Sequence, residues 1–256
     1  MTAPALLTLL SDFGLSDHYV AVMKAVALSR SPRLQIVDVS HDVPPQDVAR
    51  AGFVLAEAAP WFPPGTVHVA VVDPGVGTAR RGLVAALDGQ VVVAPDNGLI
   101  TMLWGRSTAR QAWELDRDRL GLPARSATFD GRDLFAPVGA SLASGALRPE
   151  DCGPAMEPSL VTAPPALVEA GRARGRIQTI DRFGNLVSDL RDLGTEGPAV
   201  QIDGCPVRWV RAYGEADDGE LVALIGSGGW LEVACVNGSA AAALGLGLGA
   251  EVTATW

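Results

Sequence analysis

The sequence predicts an α/β domain followed by a small all-β domain. Three observations carry this reading. The first half alternates short β-rich runs with longer helical patterns. Clusters of Asp, Asn, Gly and Pro follow almost every one of those early runs. Beyond residue 171 helical periodicity gives way to short β-type runs separated by Gly, Asp and Asn.

Strands are expected at residues 6–10, 34–39, 67–72, 82–86 and 91–94. Between the first two, Asp17 is placed to cap a helix whose apolar residues Val20, Met23, Val26 and Leu28 recur at near-helical spacing. A second helix is expected over 46–58, stopped by the Pro-rich APWFPPG, and a third over 134–144. The run LVAALDGQVVVAP reads as a tight hairpin. Residues 161–171, VTAPPALVEAG, carry a Pro pair and no clean period, and make the expected linker between a domain over 1–165 and one over 173–256. In the second, the runs 176–180, 199–202, 221–225, 230–234 and 251–256 predict a small antiparallel β domain or barrel without a convincing helix.

The chain has 256 residues, 48% of them hydrophobic and 19% charged, which is a globular composition and excludes disorder or a fibre. Its 20 Lys plus Arg against 29 Asp plus Glu give a net charge of −9, which repels a phosphate backbone, so nucleic acid is not an expected partner. The most apolar stretches, 67–72 and 240–250, fall short of the roughly 20 residues of a membrane helix, and no membrane partner is expected. MTAPALLTLLSDFG lacks the basic start of a signal peptide, and Cys152, Cys205 and Cys235 are widely spaced with no CxxC. A cytoplasmic protein with neither a disulfide framework nor a zinc site is expected.

Chemistry collects where the early strands end. Asp12 follows the first, His41, Asp42 and Asp47 the second, Asp73 the third, and Asp96 with Asn97 the run VVVAP. In open α/β sheets ligands bind outside the carboxyl ends of the strands, so these segments are candidates to line one cleft. The same residue types also make turns and cap helices. Neither SDFG nor VDPGVG is a phosphate-cradling glycine pattern. Asp12, Asp73 and Asp130 are hard oxygen donors that a divalent metal would accept, although their spacing is not diagnostic. His41 and His68 read as structural, the latter lying mid-strand.

Seven runs, LLSDFGLSDHYVAVMK, IVDVSHDVPPQDV, VVDPGVGTARR, VAPDNGLIT, FDGRDLFAPVGA, IDRFGNLVSDL and GSGGWLEVACVNG, occur in this order along nearly the whole chain. Together they resemble the S-adenosyl-L-methionine (SAM) hydroxide adenosyltransferase family, to which the fluorinase and chlorinase are related. The resemblance implies an N-terminal α/β domain with a central, mainly parallel sheet and a C-terminal antiparallel β-barrel. It implies a homotrimer with active sites between subunits. It also implies SAM as substrate, hydrolysed to adenosine and methionine by attack at ribose C5′ without metal or cofactor.

Such chemistry needs an aligned and desolvated nucleophile more than an activated leaving group, because the sulfonium already leaves well. A water nucleophile needs a proton acceptor and a nearby cation, and Asp73 and Arg80 can supply them. By resemblance these two belong to the hydrolase triad, and the halogenases carry a tyrosine in place of Asp73. The family histidine is replaced here by Asp130, in Phe129, Asp130, Gly131, Arg132 and Asp133. The resemblance further gives Asp12 to the ribose hydroxyls, Asp17 and Asp181 to the methionine ammonium, and Ser227 to its carboxylate. Phe183, Asn185 and Tyr213 go to the adenine, with the backbone at Val236 and the two residues after it. Gly228, Gln46 and Asp189 depart from what relatives carry. The rival functions are a chloride-dependent halogenase, and a SAM or adenosine-binding protein impaired by Asp130.

Overall fold

The computed structural model describes residues 5–123, 126–162, 164–191, 193 and 197–256. Contacts divide the chain into two units, Met1–Val161 and Thr162–Trp256.

The first unit is built on a seven-stranded sheet. In chain order the strands are β1 (Leu6–Ser11), β2 (Gln35–Ser40), β3 (Val67–Val71), β4 (Gly82–Leu87), β5 (Gln90–Pro95), β6 (Arg110–Glu114) and β7 (Ala155–Met156). Across the sheet they run β2-β1-β3-β5-β4-β6-β7. The β2-β1-β3-β5 half is parallel, and β4, β6 and β7 add antiparallel. The hairpin joining β4 to β5 turns on Asp88 and Gly89, both at positive φ, as the Asp-Gly pair predicts.

Helices α1 (Tyr19–Arg30), α2 (Val48–Ala58), α3 (Thr101–Arg106) and α4 (Ala136–Ala143) complete the unit. One core cluster joins Met23 and Ala27 of α1 and Ala136, Val138 and Ala140 of α4 to Leu7, Leu9 and Val69 of the sheet. A second joins Ala51 and Leu55 of α2 and Leu103 and Trp104 of α3 to Leu10, Ala70 and Val92. Strand residues alternate between these clusters, so the sheet is buried on both faces, and all five residues of β3 are buried. Asp12 and Asp73 consequently sit where polar side chains escape this core, at the carboxyl ends of β1 and β3.

Local details depart from expectation. Helix α1 is capped by His18 without a side-chain hydrogen bond, one residue later than Asp17, and Tyr19 at its start packs on Phe13 and Phe129. Helix α2 begins at Val48: Gln46 takes φ 66°, which the helix excludes, and Asp47 caps it by accepting from Arg50 N. The third expected helix opens with a wide π turn over Gly131–Phe135 before α4.

In the second unit the strands are β8 (Leu167–Glu169), β9 (Arg172–Ile180), β10 (Leu186–Arg191), β11 (Ala199–Ile202), β12 (Cys205–Trp209), β13 (Leu221–Ile225), β14 (Trp230–Cys235) and β15 (Glu251–Thr255). Their order is β10-β14-β13-β12-β11-β15-β9-β8, and β9 pairs back to β10. That last pairing closes a seven-stranded barrel, with β8 added outside. All its pairs are antiparallel except β12 with β13. Leu186, Leu190, Ile202, Leu231, Val233 and Val252 fill the interior.

The expected linker is therefore partly structured, since β8 lies within it and pairs with β9 from Leu167↔Arg174 to Glu169↔Arg172. The expectation of no helix also fails. The alanine run forms α5 (Ala240–Leu244), capped by Ser239 and ended by left-handed Gly245, because alanine has the highest helix propensity.

Candidate active site

Strand β3 delivers the chain to Asp73, and the turn that follows folds Arg80 back onto it. Val76 N donates to Asp73 O, and Thr78 N to Gly75 O. Gly77 sits at φ +77°, where an added Cβ would lie 2.5 Å from the Ala127 carbonyl oxygen, so the turn requires glycine there. The result is a fork: Arg80 Nε donates to Asp73 Oδ1 at 3.0 Å and Nη2 to Oδ2 at 2.5 Å. The guanidinium also lies 5.3 Å from the ring centre of fully buried Phe135.

Asp130 enters from the start of the π turn. Its Oδ2 accepts from Arg80 Nη2 at 2.9 Å, and its Oδ1 accepts from Arg117 Nη2. Arg117 comes from the loop after β6 and is the member that sequence reasoning missed. Its signal was indirect: an extra carboxylate in a buried site calls for an extra cation, and Arg117 lies in the charged run ELDRDR beside it. Side-chain exposure is 5% for Asp73, 9% for Arg80, 12% for Asp130 and 30% for Arg117. Burial pushes the Asp73 carboxyl above its ordinary range; Arg80 opposes that shift and Asp130 adds to it.

Asp12, at the end of β1, accepts from Gln46 N at 2.8 Å through Oδ2, and Asp17 is exposed before α1. Close by, Phe13, Tyr19 and Phe129 form an aromatic triangle with centroids 5.2 to 5.8 Å apart. They line one cleft of about 360 Å³, which sequence reasoning also missed.

The remaining strand-end residues hold the scaffold. Asp96 accepts from Arg81 and from Ser159, and Asn97 donates to the Val72 carbonyl. Buried His41 bonds Ser11 Oγ through Nδ1 at 2.7 Å and lies 3.1 Å from Asp38 through Nε2. Buried His68 bonds Thr8 Oγ1 at 2.8 Å. Among the described residues no three His, Cys, Asp or Glu side chains gather as metal ligands. Asp73 and Asp130 are committed to guanidinium groups instead.

In the second unit, Asp181, Phe183, Asn185, Tyr213, Ser227 and Val236 all line one cavity of about 950 Å³. They come from four separate stretches of chain. The turn after β9 is organised by Asp181, whose Oδ1 accepts from Phe183 N and Asn185 N and whose Oδ2 accepts from Asn185 Nδ2, each at 2.9 Å. This leaves Phe183 76% exposed. Tyr213 donates its hydroxyl to Glu232, a residue the sequence reading passed over. Burial holds the Glu232 carboxyl above its ordinary range, and burial also raises the Tyr213 phenol. Two positions that depart from relatives are structural. Asp189 accepts from Arg176 N at 2.7 Å, and the Gly228 carbonyl accepts from Arg191.

Two family models match this chain: the SAM hydroxide adenosyltransferase N-terminal domain over residues 7–153 and its C-terminal domain over 175–253. The chain belongs to this family. A (R)-S-adenosyl-L-methionine hydrolase of Thermus thermophilus is 47% identical over 251 residues, covering 95% of this chain and 96% of that protein. One from Salinispora tropica is 42% identical, over 96% of this chain and 95% of that protein. A fluorinase from an Actinoplanes species is more distant, at 28% over 98% and 97% of the two chains. The crystal structure of an uncharacterized conserved protein from Thermotoga maritima superposes with a TM-score of 0.88, at 33% identity over 98% of this chain and all of that one. Both family domains thus fall on the two units described above, and the hydroxide adenosyltransferase assignment spans the α/β sheet and the barrel alike.

Proposed function

We propose that this protein hydrolyses SAM to adenosine and L-methionine, a water-derived nucleophile attacking ribose C5′ as the C–S bond breaks. The observation that carries the reading is the buried Asp73–Arg80 fork, joined to Asp130. Asp73 takes the proton of the attacking water, and its raised proton affinity suits a general base better than an exposed carboxylate would. Arg80 supplies the cation that favours hydroxide. Each oxygen of Asp130 keeps a lone pair beyond its guanidinium bond, so Asp130 orients the water in place of the family histidine. The electrons of the broken bond leave as the neutral thioether of methionine, which needs neither Lewis acid nor redox cofactor. A halide placed here would face two buried carboxylates, which disfavours the halogenase reading.

Binding residues follow from the cavity. Phe183 and Tyr213 stack on adenine, Asn185 reads its edge with the backbone at Val236, and Ser227 takes the methionine carboxylate. Asp12 takes the ribose hydroxyls, and Asp17 the ammonium. Asp181 has its oxygens engaged by three donors, so it acts by shaping the turn that presents Phe183 and Asn185. A homotrimer with sites completed between subunits fits an aromatic pocket wall that one chain leaves largely open. Three unpaired cysteines fit a reducing, cytoplasmic setting, and no helix among the described residues is long and apolar enough to cross a membrane.

The test is incubation of the purified protein with SAM, with and without chloride, followed by chromatography. Equal amounts of adenosine and methionine, indifferent to chloride, are expected. A 5′-chlorinated nucleoside would overturn the reading in favour of halide transfer. Tight adenosine binding without product would make this a binding protein.

A further inference from the structure

Resting on that reading, we propose that Arg117 is a positioning residue for the reaction. It is the counter-charge that allows an aspartate to replace a histidine at position 130, and positions 117 and 130 act as one unit.

The argument is one of charge and connectivity. A histidine at 130 would leave Asp73 and Arg80 as a balanced pair. An aspartate there adds a buried negative charge beside Asp73, and two carboxylates sharing one cation repel each other and hold a proton between them. Arg117 removes that problem. Its Nη2 takes the Asp130 oxygen that Arg80 does not, so four side chains form the chain Asp73, Arg80, Asp130, Arg117 with no net charge.

Arg117 has no other acidic partner among the described residues, and its Nη1 is buried without a hydrogen bond there. Among the described residues, Asp130 is therefore the one acidic side chain that orients it. Among the described residues, the other charged groups lining this cleft do not substitute for it. Arg81 is committed to Asp96, and Glu114 carries the wrong sign.

The dependence runs both ways. Without Arg117, Asp130 and Asp73 share Arg80 as their one cation, which raises the proton affinity of Asp73 and moves the acid limb of activity to higher pH. Without Asp130, Arg117 is a half-buried cation beside Arg80, so restoring the family histidine alone damages the site.

The experiment compares kcat against pH for the natural protein, Arg117→Met, Arg117→Lys, Asp130→His and the Arg117→Met/Asp130→His double variant. For Arg117→Met an acid limb higher by about one pH unit is expected, with kcat lowered about tenfold and KM changed little. Arg117→Lys returns the limb most of the way, because it restores the charge. Asp130→His alone loses more than about tenfold, and the double variant recovers most of that loss, a strong non-additivity. An unmoved limb in Arg117→Met, or an Asp130→His variant as active as the double, would overturn the proposal.

Titration of the Asp73 carboxyl by carbon NMR in the natural protein and in Arg117→Met keeps the test separate from turnover. If the natural protein makes no adenosine and methionine, the hydrolase reading fails. The Asp73 titration still rises by about one pH unit if Arg117 acts as proposed, and stays in place if it does not.

Discussion

The charge cluster of the first unit and the cavity of the second are built on opposite principles. In the first, each carboxylate oxygen of Asp73 and Asp130 already faces a guanidinium, and three of the four side chains are at most 12% exposed. Its geometry is fixed before any substrate arrives. In the second, Phe183 is 76% exposed and Tyr213 42%, while order comes from two carboxylates in the cavity wall, Asp181, which holds the turn, and Glu232, which accepts from the phenol. The groups proposed to react are preorganised by their own electrostatics, whereas the proposed recognition surface is ordered by hydrogen bonds to carboxylates in its own wall. Substitutions in the cluster should accordingly change rate, and substitutions in the cavity should change affinity.

The largest expected effect tests the first half of that contrast. Asp73→Asn keeps the shape and half of the fork to Arg80 but removes the proton acceptor, so kcat should fall about 10³-fold while SAM affinity stays within about threefold. Single-turnover kinetics and calorimetry separate the two quantities. Equal loss of rate and affinity would mean that Asp73 grips substrate and would erase the distinction between the regions. In the natural protein, activity should be lost as pH falls through the Asp73 pKa. Because burial raises that pKa, the limb lies above the ordinary carboxylate range.

A second effect concerns stability and belongs to the first unit alone, which holds all three histidines, His18, His41 and His68. Burial depresses the His68 pKa to about 4, from 6.5 in an unfolded chain. Its contribution is present above pH 6.5 and is lost as pH falls towards 4, because only the unfolded state takes up the proton in that window. About 3 kcal/mol should disappear across it. His68→Gln keeps a partner for Thr8 but cannot titrate, so urea midpoints of the variant should fall less between pH 7 and pH 4. Identical slopes in the two proteins would place the acid sensitivity elsewhere.

How legible each region was from sequence follows from the same contrast. Strands with long apolar runs, such as β3, β5 and β13, read directly, because burial on both faces leaves a continuous hydrophobic signal. The short β6 and β12, RQAWE and CPVRW, mix charge with apolar residues, carry no such signal and went unseen. The hairpin at Asp88 and Gly89 was legible because its turn chemistry is local.

In the site, the six second-unit residues named from motifs all meet in one cavity. The groups behind or beside them did not show. Arg117 is 13 residues from Asp130, and Glu232 is 19 from Tyr213, and nothing in the local pattern ties either pair together. Motifs mark the residues that line the cavity. Their partners are found by asking what each buried charge must be paired with.

The smallest effect tests the cavity half of the comparison. Phe183 is held by its backbone, through the bond from its N–H to Asp181 Oδ1, rather than by packing of its ring. Removing the ring in Phe183→Ala therefore costs little folding free energy, within about 0.5 kcal/mol, since an exposed side chain has few contacts to lose. Stacking on a base is worth about 1–3 kcal/mol, so adenosine should bind roughly tenfold more weakly. At saturating SAM, kcat should stay within about twofold, because the ring lies in the unit that carries none of Asp73, Arg80, Asp130 or Arg117. Calorimetry with adenosine and kcat at saturation decide the matter together. Unchanged affinity would remove Phe183 from the recognition surface. A fallen kcat with intact affinity would show that the open cavity shares in the chemistry, and the division of labour between the two regions would not stand.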